Sequence, residues 1–201
     1  MKLLTVGLIA VLLFSCDDNG GHEDLPKLEI DEELKDYFVH EEGTKYIMED
    51  TAENLVDTLV ITSSLYQEGS FVQGPDGPEI KKDYLDPFYT ITYEAKVDKT
   101  SNIEESFVTV LSSGILRGDT LNDFKYYNGQ SKTIELIKNG EWYDPRDEAE
   151  RKDSLNVLGE TYYNVLELEL SSFKKVEFGK NIGPLRIKHK EDFLLKEKIE
   201  P

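Results

Sequence analysis

The stretch Tyr89-Thr90-Ile91-Thr92-Tyr93-Glu94-Ala95-Lys96-Val97 decides the fold, because its odd positions are apolar or aromatic and its even ones polar. Successive side chains of a strand point to opposite faces, so a period of two marks a half-buried β-strand. Leu166-Glu167-Leu168-Glu169-Leu170 repeats the pattern, with leucines to one side and glutamates to the other. The same reading predicts strands near Tyr46–Met48, Thr58–Ser63, Phe107–Ser112, Thr133–Ile137, Lys175–Phe178, Leu185–Lys188 and Phe193–Ile199. Eleven Tyr and nine Phe supply the rings that pleated surfaces favour.

The connections point to hairpins. Ile134-Glu135-Leu136-Ile137-Lys138 is followed by Asn139-Gly140 and Glu141-Trp142-Tyr143, the signature of a type I′ hairpin. Ser171-Ser172-Phe173-Lys174 is short enough to join a second pair. Helix signals are sparse: Asp31–Phe38 and Asp147–Ser154, the latter just after Pro145, each have room for about two turns. Strands without intervening helices cannot form a parallel sheet. The expected fold is therefore mostly β, an antiparallel sheet folded as a sandwich or open barrel, with one or two short helices. Glu68 to Pro87, with three Gly and three Pro, reads as a long surface loop in which Phe71, Tyr84 and Leu85 are the candidate partner contacts.

The N-terminus has a different character. Lys2 and the free amine precede an uncharged, mostly aliphatic run from Leu3 to Phe14, and small Ser15 stands before Cys16. That is the order of a secretory signal, too short for a bilayer span of about 20 residues. The reading divides the chain into a signal peptide (1–15), an acidic flexible tether (16–33) and a single β-rich domain (34–201). The formal net charge is −18, unevenly spread, since residues 174–201 carry eight Lys/Arg against five Asp/Glu. An acidic field of this size repels phosphate backbones and argues against nucleic acid as a partner.

The inventory for catalysis is thin. His22, His40 and His189 lie far apart, there is no G-x-S-x-G and no P-loop, and Cys16 is the sole cysteine. The densest acidic turns, Asp144–Glu148 and Asp119 with Asp123, do not have the calcium-loop spacing. The reading gives no enzyme, no cofactor and no metal.

Leu13-Phe14-Ser15-Cys16 resembles the lipobox of bacterial lipoprotein precursors. The resemblance implies that Cys16 becomes the acylated first residue of the mature chain, and two or three acyl chains anchor a protein effectively permanently. Asp17-Asp18 resembles the acidic export stretch of Bacteroidota lipoproteins. Asp36-Tyr37-Phe38 with Gly43-Thr44-Lys45-Tyr46-Ile47 resembles their domain start, and Tyr162–Leu166 and Phe178–Ile187 their closing strands with a Lys-x-x-Gly turn. Asp50-Thr51-Ala52, Asp57-Thr58-Leu59, Asp119-Thr120-Leu121 and Asp153-Ser154-Leu155 resemble that group's O-glycosylation acceptor, making Thr51, Thr58, Thr120 and Ser154 candidate modification sites. The group has no shared activity. The expectation is a non-enzymatic lipoprotein, lipid-anchored to the outer membrane and facing either the surface or the periplasm, whose domain binds an envelope protein, a glycan or another envelope partner. The alternative is a carrier holding a lipid or other apolar ligand in a β-lined cavity.

Overall fold

The computed structural model describes residues 27–72, 80–95, 106–128, 130–171, 174–188 and 191–201. Among them run one helix, α1 (Glu32–Phe38), and twelve strands: β1 (Lys45–Asp50), β2 (Leu55–Val72), β3 (Ile80–Ala95), β4 (Ser106–Leu116), β5 (Asp119–Asn128), β6 (Gln130–Lys138), β7 (Glu141–Trp142), β8 (Ala149–Val157), β9 (Glu160–Ser171), β10 (Lys174–Gly179), β11 (Gly183–Lys188) and β12 (Asp192–Ile199). All join in one antiparallel sheet, ordered β7-β6-β5-β4-β3-β2-β1-β12-β11-β10-β9-β8. Of the two architectures the sequence left open, the sheet is the open one, a curled half-barrel. Two meanders are spliced where the last strand, β12, pairs with the first, β1.

Chain connectivity forces the curl. Laid flat, the outermost strands β7 and β8 would stand about 50 Å apart at about 4.8 Å per strand. Only residues 143–148 link them, a reach of at most about 25 Å. The two edges are accordingly held together: the Arg151 guanidinium lies 4.3 Å from the Trp142 ring centroid, and Lys132 pairs with Glu148 at 2.6 Å. Inside the curl, Phe124 on β5 and Phe178 on β10 bring their ring centroids to 6.0 Å, although six strands separate them in the sheet.

Helix α1 fills the concave side. The Asp31 side chain accepts the Glu33 N–H at 2.9 Å as N-cap, and Glu32 and Glu33 suit the positive end of the first turn. Leu34, Tyr37 and Phe38 share one face by their spacing of three and four, and all three are buried. Phe38 sits 4.5 Å from Phe124 and 5.0 Å from Phe178 by ring centroids, so one ring bridges both limbs. The helix is pinned at both ends. The Asp31 N–H donates to Asn122 Oδ1 at 2.6 Å, and the Asn181 N–H donates to the Asp36 carbonyl at 2.7 Å. Packing begins upstream of the expected start at Leu34: Ile30 is 3 % exposed within the core, and Leu28 donates its N–H to the Leu85 carbonyl.

The turns follow residue chemistry. Asn139 and Gly140 have φ of 52° and 79°, the two positive values of a type I′ hairpin between β6 and β7. Lys180 to Gly183 makes the turn between β10 and β11, with Gly183 at φ +100°, and a Cβ there would stand 2.6 Å from Tyr46 Oη.

Two expectations are corrected. Asp147–Ser154, read as a helix, lies mostly in strand β8, because residues 149–157 find a full antiparallel partner in β9. Glu68–Pro87, read as a loop, is largely a hairpin arm, since β2 runs on to Val72 and β3 begins at Ile80, with register shifts absorbing the irregular residues.

Candidate functional site

Alternation gives the sheet two surfaces with different chemistry. On β3, β4, β5 and β6 the inward positions, such as Ile91, Tyr93, Leu111, Phe124, Ile134 and Leu136, are buried against the interior. Their alternates form a groove of about 450 Å³ on the outer face of the same strands. Tyr84 and Phe88 of β3, Val110 of β4 and Tyr127 of β5 contribute its apolar and aromatic walls. Asp86, Asp123 and Glu135 bring carboxylates, Lys125 an ammonium and Ser112 a hydroxyl.

The Asp123 carboxyl is perturbed by its place in the groove. Burial pushes it above the usual carboxylate range, Lys125 opposes this and Glu135 adds to it. Its Oδ1 is buried with no hydrogen-bond partner among the described residues. The arrangement offers acceptors for hydroxyl or amide donors beside ring faces for stacking. Among the described residues there is no group of three His, Cys, Asp or Glu placed to hold a metal ion.

The outer face of the other limb differs, because its charges satisfy one another. Lys152 reaches Glu167 at 2.5 Å and Glu177 at 2.7 Å, Lys175 reaches Glu167 at 2.7 Å, and Arg186 meets Asp192 through two bonds of 2.5 and 2.6 Å. Burial alone would raise the Glu167 carboxyl, but the two ammonium groups outweigh it and hold it down at about 2. This ladder spans β8 to β12 as a structural network.

The sequence-nominated residues scatter. Cys16 and His22 precede the described residues, and His189 also lies outside them. Tyr84 lines the groove, whereas Leu85 spends its carbonyl on Leu28, and Phe71 pairs with Lys81 along the arm. Thr51 and Ser154 are exposed, and Thr58 and Thr120 half-buried. Three of the four aspartates ahead of these hydroxyls have local work: Asp50 accepts the Ala52 and Glu53 N–H groups, Asp57 accepts that of Thr58, and Asp119 pairs with Lys138 at 2.8 Å. His40 lies beneath β1, its Nε2 3.2 Å from the Tyr37 carbonyl. Sequence reasoning missed Phe88, Tyr127 and Glu135, and weighed Asp123 only as part of an acidic turn with Asp119. Phe88 carried a signal, since it is a ring on the polar phase of the alternation that opens at Tyr89.

The class this defines is a curled antiparallel half-barrel with its own helix packed on the concave side and an aromatic and acidic groove on its outer face. Comparison with known proteins finds no matching family model, no matching curated protein and no matching solved structure. Among the described residues no helix is long and apolar enough to cross a membrane.

Proposed function

We propose that the protein is a non-enzymatic lipoprotein, anchored in the outer membrane through acylated Cys16, whose β domain binds an envelope partner, with the outer groove as a site for a saccharide chain. The observation that carries this reading is the groove itself, where the rings of Phe88 and Tyr127 stand beside three carboxylates. Sugars present both an apolar C–H face and a fringe of hydroxyl donors, and they need ring faces and acceptors at close quarters. A carrier is the weaker reading, because Leu34, Phe38, Phe124 and Leu136 occupy the concave side that a lipid would need.

The acylated chain in detergent, tested against immobilised bacterial envelope saccharides, should bind at least one class, and Tyr127→Ala or Asp123→Asn should weaken that binding at least about tenfold. Wild-type chain that retains no saccharide, or variants that bind unchanged, would overturn the groove assignment. Palmitate labelling tests the anchor separately: it should be lost in Cys16→Ser, and label persisting there would refute the anchor.

A further inference from the structure

Strand β2 is eighteen residues long and its neighbour β1 six. β1 covers β2 from Leu55 to Val60, and the bonds of Ile61 to Gly43 and Thr44, 2.8 and 2.9 Å, complete that cover. On its other side β2 stays paired with β3 as far as Val72. From Thr62 onward no described residue pairs with β2 on the side that β1 leaves open. A strand that begins in the middle of the sheet thus becomes an edge.

Natural sheets blunt an edge with charge, proline, a bulge or a covering segment, and here a register shift between Ile61 and Ser63 bulges the strand where the edge begins. Thr62-Ser63-Ser64-Leu65-Tyr66-Gln67 has neither charge nor proline, in a chain of which 32 % is charged, and the first charge beyond it, Glu68, is held by Lys27. Leu65 and Tyr66, adjacent and so on opposite faces, are 53 % and 43 % exposed. On the concave side two depressions of about 430 and 390 Å³ flank this edge. Ser64 lines one, Tyr66 the other, and Lys35 of α1 both. Ser64 and Tyr66 are two residues apart, about 6.8 Å along a strand, which is also the interval between same-face side chains of any strand laid beside β2.

We propose that the free edge of β2 receives an extended, non-acidic segment of a partner protein as an added strand, its main chain bonded to Thr62–Gln67 and two same-face side chains seated in the paired depressions. Strand addition draws affinity from main-chain bonds and selectivity from side-chain pockets at alternate positions, and this surface offers both. The occupant is a partner and not a second copy, because two chains of net charge −18 repel, whereas a neutral or basic segment is drawn in. The paired depressions lie on the concave side of the sheet and share no lining residue with the outer groove, so the inference stands apart from the saccharide reading.

Linear peptides selected from a phage-displayed library on the full chain are the probe. Selected peptides should alternate in polarity, and on binding they should slow amide exchange at Thr62–Gln67 without protecting β5. Leu65→Lys, at an exposed site that folding does not need, should weaken them at least about tenfold. N-methylation of every second peptide amide should abolish binding in one phase and spare it in the other, the mark of main-chain pairing. Failure to enrich any peptide, protection that maps to the outer groove, or edge amides protected by the chain alone as its concentration rises would each overturn the proposal.

Discussion

Replacing Phe38 by Ala tests whether the half-barrel is held closed by its own helix. The ring is 1 % exposed and touches Phe124 on one limb and Phe178 on the other. Truncating a buried Phe costs about 3–5 kcal/mol, and the upper part of that range applies where the surroundings cannot collapse into the space. Here the two partner rings sit on limbs whose separation is fixed by the hydrogen-bonded sheet, so we expect a loss of about 4–5 kcal/mol. For a domain of this size that lowers Tm by about 8–20 °C. Trp142, the single tryptophan, reports unfolding from the junction of the two edges, and urea titration followed by its fluorescence and by far-ultraviolet circular dichroism gives the loss directly. Phe38→Leu retains most of the volume and should lose about 1–2 kcal/mol, which keeps the measurement available if the alanine variant does not fold. A loss below about 1 kcal/mol for Phe38→Ala would refute the reasoning, because it would mean that the ring does not fill the interior.

Acid should unfold the protein in two separable windows. Burial first, then the Lys198 charge, lowers the His40 imidazole from 6.5 to about 4 against a weaker upward pull from the Tyr37 carbonyl, so the folded state favours the neutral ring. Its stability, roughly 3 kcal/mol, is present above pH 6.5 and drains as pH falls toward 4. Urea midpoints at stepped pH should show that slope in wild type and lose it in His40→Phe. Glu167, held at about 2 from 4.5, contributes above pH 4.5 and is lost only below it, so Glu167→Gln should flatten the lower window alone. Gly183→Ala adds a Cβ 2.6 Å from Tyr46 Oη at a φ of +100°, and thermal melts should show a loss of about 2 kcal/mol or more.

The strands with one buried face were legible because a half-buried strand writes its geometry as a period of two, as at Tyr89–Ala95 and Leu166–Leu170. β8 was not, since it is an edge strand exposed on both faces for most of its length, and Ala149-Glu150-Arg151-Lys152-Asp153 shows no alternation to read. β5 was missed for another reason. Its inward positions Asn122, Phe124 and Tyr126 keep a period of two, but the first of them is polar while Leu121 and Tyr127 put apolar bulk on the outward phase, so the alternation does not show in the residue types. The choice between sandwich and open barrel lay beyond any local pattern, because it depends on where β12 pairs and on Phe38 meeting β5 and β10. Of the groove, Tyr84 was nominated for its place in an expected loop, and Asp123 was weighed only as half of an acidic turn. The rest assembles from the outward phases of four strands, and outward polar residues look alike in sequence whether they line a recess or a flat surface.

The central claim is that the protein works from its outer surfaces while its interior is filled by its own side chains. Native mass spectrometry of the full chain, expressed in bacteria and purified without added lipid, tests this most directly. The spectrum should show the mass of the polypeptide with its covalent modifications and nothing else of lipid size. A stoichiometric, non-covalent apolar adduct that leaves on gentle activation would contradict the claim.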